Sequence, residues 1–184
     1  MATHRLFTAI DIGARQSLVE LEQRLDETDA NLKLVEPENI HVTLKFLGDT
    51  DEAKIPGIVE ALQTVAGEME PYQAALQGVG VFPHLDYIKV IWIGVDDDGQ
   101  TKHIAERLDD ELAGQGFKRE KHEFTPHATI ARMKGARGKD AVCRLVEEHT
   151  ATIFGELSVT GIQLKKSELR PEGPVYTMLS HVVL

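Results

Sequence analysis

The sequence predicts an α+β fold of two lobes with a cleft between them, and three observations carry that expectation. A strand, a helix, a strand opening on His-x-Thr and a second helix run in order from 5 to 66, and the same order returns from 89 to 149. The two His-x-Thr phrases, His41-Val42-Thr43-Leu44 and His127-Ala128-Thr129-Ile130, hold matching places in these halves. No linker-like or low-complexity segment divides the 184 residues. The expectation is therefore one two-lobed domain over 1–184, with an internal pseudo-twofold repeat of roughly 5–66 and 89–149.

Residues 5–11 read as a first strand, which Gly13 interrupts. Ala14, Leu18, Leu21 and Leu25 recur at helical spacing with polar residues between them, so 13–28 reads as an amphipathic helix. Asn31 to Val35 forms a short strand, and Pro37-Glu38-Asn39 turns the chain into the first motif strand, 40–47, which Gly48 ends. Thr50 or Asp51 caps a second helix with Ile55, Ile58, Val59, Leu62 and Val65 on one stripe and Pro56 in its first turns, where proline is tolerated.

Residues 72–82 alternate loosely as a strand. Gly78-Val79-Gly80 lies within them, but no third glycine follows and no helix opens there, so a dinucleotide loop is not expected. Lys89 to Val95 is a strand that ends at Asp96-Asp97-Asp98-Gly99. The aspartates lack the rest of a calcium loop and read as a solvated turn. Residues 100–113 are helical, 124–133 form the second motif strand, and a basic loop over 134–139 leads to a helix with Val142, Leu145 and Val146 inward. Two strands close the chain, 153–165 and 175–183, with a turn at Pro171-Glu172-Gly173-Pro174.

An apolar fraction of 42% suits a packed core, and no apolar run is long enough to cross a bilayer. A single cysteine, Cys143, precludes an intrachain disulfide and points to the cytoplasm. It reads as the buried side of a helix, not as an activated thiol. The net charge of −10 argues against broad nucleic-acid binding. Between 118 and 139, however, seven Lys/Arg (118, 119, 121, 132, 134, 137 and 139) face two acids, Glu120 and Glu123, which predicts a local anion funnel around the second motif.

Side chains alternate along a strand, so His41 and Thr43 share one face, as do His127 and Thr129, while Val42, Leu44, Ala128 and Ile130 turn to the core. Two imidazoles and two hydroxyls across one cleft suit acid–base chemistry on an anion. With eight histidines and 13 threonines, chance alone gives roughly half a His-x-Thr, so the weight lies in the matched strand context. Phe46 is assigned to the face of Thr43 and more to the core than to a ligand. Arg132 lies at odd spacing from His127 and reaches a bound phosphate only if the strand bends. The remaining histidines form no metal-binding spacing, and no Gly-x-Ser-x-Gly is present.

Four blocks extend the motifs: Arg5–Asp11, Pro37–Gly48, Phe124–Arg132 and Ser167–Tyr176. In these the chain resembles the RNA 2′,3′-cyclic phosphodiesterases of the two-histidine phosphoesterase superfamily, which are similar to 2′–5′ RNA ligases. The resemblance implies two antiparallel sheets facing across a central cleft with helices on the outside. It implies hydrolysis of a 2′,3′-cyclic phosphate to a terminal 2′-phosphomonoester without metal or cofactor. His41 would be the proton donor and His127 the proton acceptor, and Thr43, Thr129 and Arg132 would bind the substrate. The implied partners are RNA ends with a 2′,3′-cyclic phosphate, among them tRNA fragments, and small cyclic nucleotides, with no membrane and a monomeric protein. Leu34 departs from the aromatic often found there in relatives, so contact with a base would be weaker or come from elsewhere. The same histidines would also serve 2′–5′ ligation or cleavage of a 2′–5′ linkage, and a non-catalytic RNA-end binding module is the remaining alternative. Acid–base catalysis by two histidines implies a bell-shaped pH profile with limbs on either side of neutrality.

Overall fold

The computed structural model describes residues 2–184. Thirteen principal elements follow in chain order: β1 (Thr3–Asp11), α1 (Gln16–Asp26), β2 (Leu32–Leu34), β3 (His41–Asp51), α2 (Ile55–Ala66), β4 (Tyr72–His84), β5 (Tyr87–Asp96), α3 (Gln100–Ala113), β6 (His127–Met133), α4 (Lys139–Glu148), β7 (Ile153–Val159), β8 (Gly161–Arg170) and β9 (Gly173–Val183). The fold is α+β, as the sequence predicts, and all strand pairs are antiparallel.

The strand order is β7-β4-β5-β6-β3-β1-β8-β9, with β2 also paired to β6. Four strands lie on each side of the β6–β3 junction. That junction is a single pair, Val42 opposite Ala128, which joins the two halves into one continuous sheet. Two of the four helices cross to the other half of the sheet. The first helix, α1, follows β1 but packs on β2, β6 and β7, in the other half of the sheet. Conversely α3 follows β5 but packs on β3 and on α2. The apolar core joins Val42, Leu44, Ala128 and Ile130 to Leu18, Leu25, Leu62, Ile104 and Leu108 of the helices. Its burial is the main stabilising term.

Both motif strands carry a β-bulge at the same place. Along β1 the register steps from Lys45 opposite Thr8 to Thr43 opposite Ala9, skipping Leu44. Along β5 it steps from Ala131 opposite Ile91 to Thr129 opposite Trp92, skipping Ile130. A bulge sets two residues against one and shifts the alternation. Consequently Leu44 and Lys45 are buried in succession, as are Ile130 and Ala131.

Several boundaries differ from the sequence expectation. Gly48 does not end β3. It adopts φ 69° beside a second bulge, where Leu47 is skipped, and pairing continues to Asp51. Residues 153–165 are not one strand but β7 and the first half of β8, separated at Thr160. Thr50 is buried and bonds back to the Leu47 and Gly48 carbonyls, and Asp51 caps the short 3-10 turn Glu52–Lys54, accepting from Ala53 N at 2.9 Å, so neither residue caps α2 itself. Cys143 is half-buried, its thiol directed at the Leu85 carbonyl.

The aspartate turn is also not wholly solvated. Asp97 is buried and caps α3: Gly99 N and Thr101 N donate to its two oxygens at 3.0 Å, and the Thr101 hydroxyl donates as well. Asp97→Ala leaves the Gly99 and Thr101 backbone N–H groups without this acceptor. It should lower stability by about 2 kcal/mol, read as a fall in the urea midpoint at unchanged slope.

Candidate active site

The face of the sheet opposite the core forms a cleft of about 890 Å³. His41, Thr43, His127 and Thr129 all line it. Val42 faces Ala128 across the central pair, so the antiparallel register directs His41 toward Thr129 and Thr43 toward His127. The four sequence-predicted motif residues are thus brought together crosswise.

Each imidazole is held in the same way. The Nδ1–H of His41 donates to the Asn39 carbonyl at 2.7 Å, and the Nδ1–H of His127 donates to the Thr125 carbonyl at 2.6 Å. A carbonyl only accepts, so the proton resides on Nδ1 in the neutral ring. Nε2 then carries the free lone pair. In His41 that nitrogen lies 3.1 Å from the Thr43 hydroxyl. Two aromatic rings flank each imidazole: Phe7 and Tyr176 beside His41, at centroid distances of 5.0 and 5.3 Å, and Phe82 and Trp92 beside His127, at 4.9 and 5.9 Å.

Burial pulls both imidazoles below their ordinary 6.5, because the charged ring loses solvation. For His41 the charges of Lys165 and His127 act in the same direction, while the Asn39 carbonyl and Asp11 oppose it. Lys165 and Asp11 form an ion pair at 3.0 Å beside the ring.

Arg132 does reach the cleft. The skipped Ile130 supplies the bend that odd spacing from His127 requires. The equivalent bulge in β3 turns Phe46 to the cleft, three residues beyond Thr43, where strict alternation would point it away. Phe46 is 47% exposed, which corrects its assignment to the core, and the Arg5 guanidinium lies over its ring at 4.7 Å.

The cleft lining is cationic, but its cations are not those of the basic stretch in the sequence. Of the seven cations at 118–139, only Arg132 and Lys134 line the cleft. Arg119 pairs with Asp110, Arg137 with Asp29, and Lys139 donates to the Asp86 carbonyl. The missing cations come from distant segments: Arg5, Lys33 and Arg170 complete a set of five against Glu36 and Glu172. Arg5 and Phe7 follow period two in the first strand with Asp11, and that alternation was the available signal. Leu34 also lines the cleft, and the aromatic surface there is supplied by Phe46 and Tyr176 instead.

Of the two glycines in β4, Gly80 has a clear reason. It stands beside Trp92 in the register, and a Cβ there would lie 2.2 Å from the indole ring. The glycine lets the indole lie flat over the strand and reach His127. Among the described residues no group of three or more His, Cys, Asp or Glu converges as a metal site, and no helix is long and apolar enough to cross a membrane.

The fold brings two matched histidine–threonine pairs together in one cationic cleft. The sequence matches the family described as the 2′-5′ RNA ligase superfamily over residues 13–169, and the chain belongs to that family. It is similar to an RNA 2′,3′-cyclic phosphodiesterase of Methanothermobacter thermautotrophicus, with 38% identity covering 94% of this chain and 95% of the relative. The fold matches TT0787 of Thermus thermophilus with a TM-score of 0.83 and 30% identity, covering 98% of this chain and 97% of that one. E. coli LigT complexed with 3′-AMP shares the fold at a TM-score of 0.73 and 23% identity, covering 100% and 99%.

Trp92 is the sole tryptophan and lies against His127. Its fluorescence should therefore titrate with a midpoint below pH 6.5, the direction burial imposes, and lose that transition in His127→Asn. A midpoint above the ordinary histidine value would contradict the desolvated setting of the ring.

Proposed function

We propose that this protein hydrolyses the 2′,3′-cyclic phosphate of an RNA end or nucleotide to a terminal 2′-phosphomonoester by metal-independent acid–base catalysis. The observation that carries this reading is the matched anchoring of the two imidazoles. Each gives its Nδ1–H to the backbone carbonyl two residues upstream, and each lies in the same cationic cleft. Such a ring takes a proton at Nε2 when neutral and gives one when charged. The names of the relatives supply the substrate class.

The hydrolysis needs two proton transfers. His127 removes a proton from water through Nε2 as the water oxygen attacks phosphorus. The bond from phosphorus to the ribose 3′-oxygen breaks, and His41, as imidazolium, protonates that oxygen. The phosphate remains on the 2′-oxygen. Thr43 and Thr129 donate hydrogen bonds to the non-bridging oxygens, where charge increases, and preorganised donors are most effective there. Arg132 and Arg5 add positive potential at the cleft wall. The assignment of His41 as acid and His127 as base follows the family resemblance by position.

The first test is turnover of a nucleoside 2′,3′-cyclic phosphate in excess EDTA, with the product isomer identified by phosphorus NMR. The 2′-phosphate is expected, and His41→Ala and His127→Ala should each lower kcat by about 10²–10⁴-fold. A 3′-phosphate would reverse the leaving oxygen. Turnover only with a 5′-hydroxyl RNA end as acceptor would favour 2′–5′ ligation, and RNA binding without turnover would favour the binding module.

The pH profile follows from the direction of both shifts. Catalysis requires one neutral and one charged imidazole, and both titrate below 6.5 in the free protein. The bell in kcat/KM should therefore be centred on the acid side of neutrality, not astride it. A bound phosphate anion favours the imidazolium, so the alkaline limb of kcat should lie at higher pH than that of kcat/KM. A kcat/KM maximum on the alkaline side of neutrality would contradict this assignment.

A further inference from the structure

We propose that a second groove, entered over Phe46, binds the RNA strand that leads up to the cyclic phosphate; the inference rests on the RNA-end reading above. The groove has a volume of about 580 Å³ and lies between the Phe46–Asp51 half of β3 and the irregular segment 116–122. Phe46 lines both this groove and the cleft, so the two adjoin at its ring. Across the two bulges Thr43 stands opposite Ala9 and Gly48 opposite Leu6, so Gly48 lies about three partner-strand residues, roughly 10 Å, beyond Thr43. A nucleotide held at the histidines occupies the cleft, and the nucleotides that precede it in a longer strand reach the groove.

The wall of this groove is preformed by a buried charge that the chemistry does not use. Lys45, adjacent to Phe46, is turned inward by the bulge and has 2% side-chain exposure. Its ammonium donates to Asp109 at 2.5 Å and to the Lys118 carbonyl at 2.8 Å. Asp109 also accepts from Glu120 N at 3.0 Å. A buried ammonium is costly unless fully paired. Here the pairing fixes the backbone of 118–120 against the motif strand.

The charges along the groove then sort into paired and free. Arg119 is paired with Asp110, Glu120 faces Lys45 at 3.8 Å, Asp51 caps its own turn, and the Lys54 ammonium lies 4.9 Å from the Phe117 ring centroid. Lys118 and Lys121 are exposed and have no carboxylate within ion-pair distance among the described residues. Against these two free cations stands Asp49, a groove carboxylate without an ion-pair partner among the described residues. An exposed aromatic ring followed by two free lysines is the chemistry of a single-stranded nucleic acid path: a base stacks on the ring and phosphates meet the ammonium groups. Phe46, with Arg5 on one face of its ring, supplies the stacking surface that Leu34 lacks.

The test compares a nucleoside 2′,3′-cyclic phosphate with an RNA hexamer ending in a 2′,3′-cyclic phosphate, in the wild type and in K118E/K121E. The Lys118 bond to Lys45 uses the backbone carbonyl, so the substitutions leave the wall intact. The wild type should favour the hexamer in kcat/KM by about tenfold or more, and K118E/K121E should lose that preference while keeping mononucleotide turnover. Binding of a fluorescent hexamer with a terminal 2′-phosphate gives the second readout. The slope of log affinity against log salt should fall by about 1.4 in K118A/K121A, at ~0.7 per phosphate. Equal kcat/KM for the two substrates in the wild type, or an unchanged preference in K118E/K121E, overturns the groove. If neither substrate turns over, the hydrolase reading fails, and the binding arm alone decides: affinity lost in K118E/K121E supports the groove, and unchanged affinity overturns it.

Discussion

The molecule depends on one cross-strand pair. Val42 opposite Ala128 is where the two halves of the nine-stranded sheet join. Both side chains are buried against the helices, at 1% and 0% exposure, so the register there is fixed by the core. A one-residue slip would send the imidazoles into that core and two apolar side chains into the cleft. The exchange of helices reinforces the junction. Because α1 packs on the far half and α3 on the near half, neither half buries its apolar face without the other.

From that junction outward, the bulges decide what each half contributes. The two halves carry the same device, a skipped residue directly after His-x-Thr, yet different residues follow it. On one side Phe46 and the buried Lys45 follow; on the other, Arg132 and Ala131. An equivalent backbone therefore presents an aromatic surface at one end of the site and a guanidinium at the other.

Period-two alternation and helical spacing made much of this legible in the sequence. The motif histidines and threonines, the helix over 100–113 and the inward residues of the last helix could all be read from local pattern, because the core enforces that pattern. The sequence did not reveal how the halves join, because a single pair leaves no local signature. Nor did it reveal the bulges, which break the alternation on which strand reading depends and carry Phe46, three residues beyond Thr43, to the exposed cleft wall. The basic run at 118–139 misled for a different reason. Charge density along the chain says nothing about which side chains a loop turns toward acids such as Asp29 and Asp110. The cations of the cleft are instead dispersed at 5, 33, 132, 134 and 170, and only the folded sheet gathers them. This also reconciles a net charge of −10 with an anionic ligand: most acids lie elsewhere on the surface, and the cleft is locally positive.

The central claim is that both imidazoles keep their proton on Nδ1 and turn Nε2 to the cleft. Nitrogen-15 NMR of the histidine side chains, with His41→Gln and His127→Gln for assignment, reads that state directly. At a pH above both titrations, the two motif rings should show a protonated Nδ1 and an unprotonated Nε2. That is the less common tautomer of free histidine, and it is stabilised here by the Asn39 and Thr125 carbonyls. An Nε2–H tautomer at either position would remove the base-ready nitrogen from the cleft and contradict the mechanism.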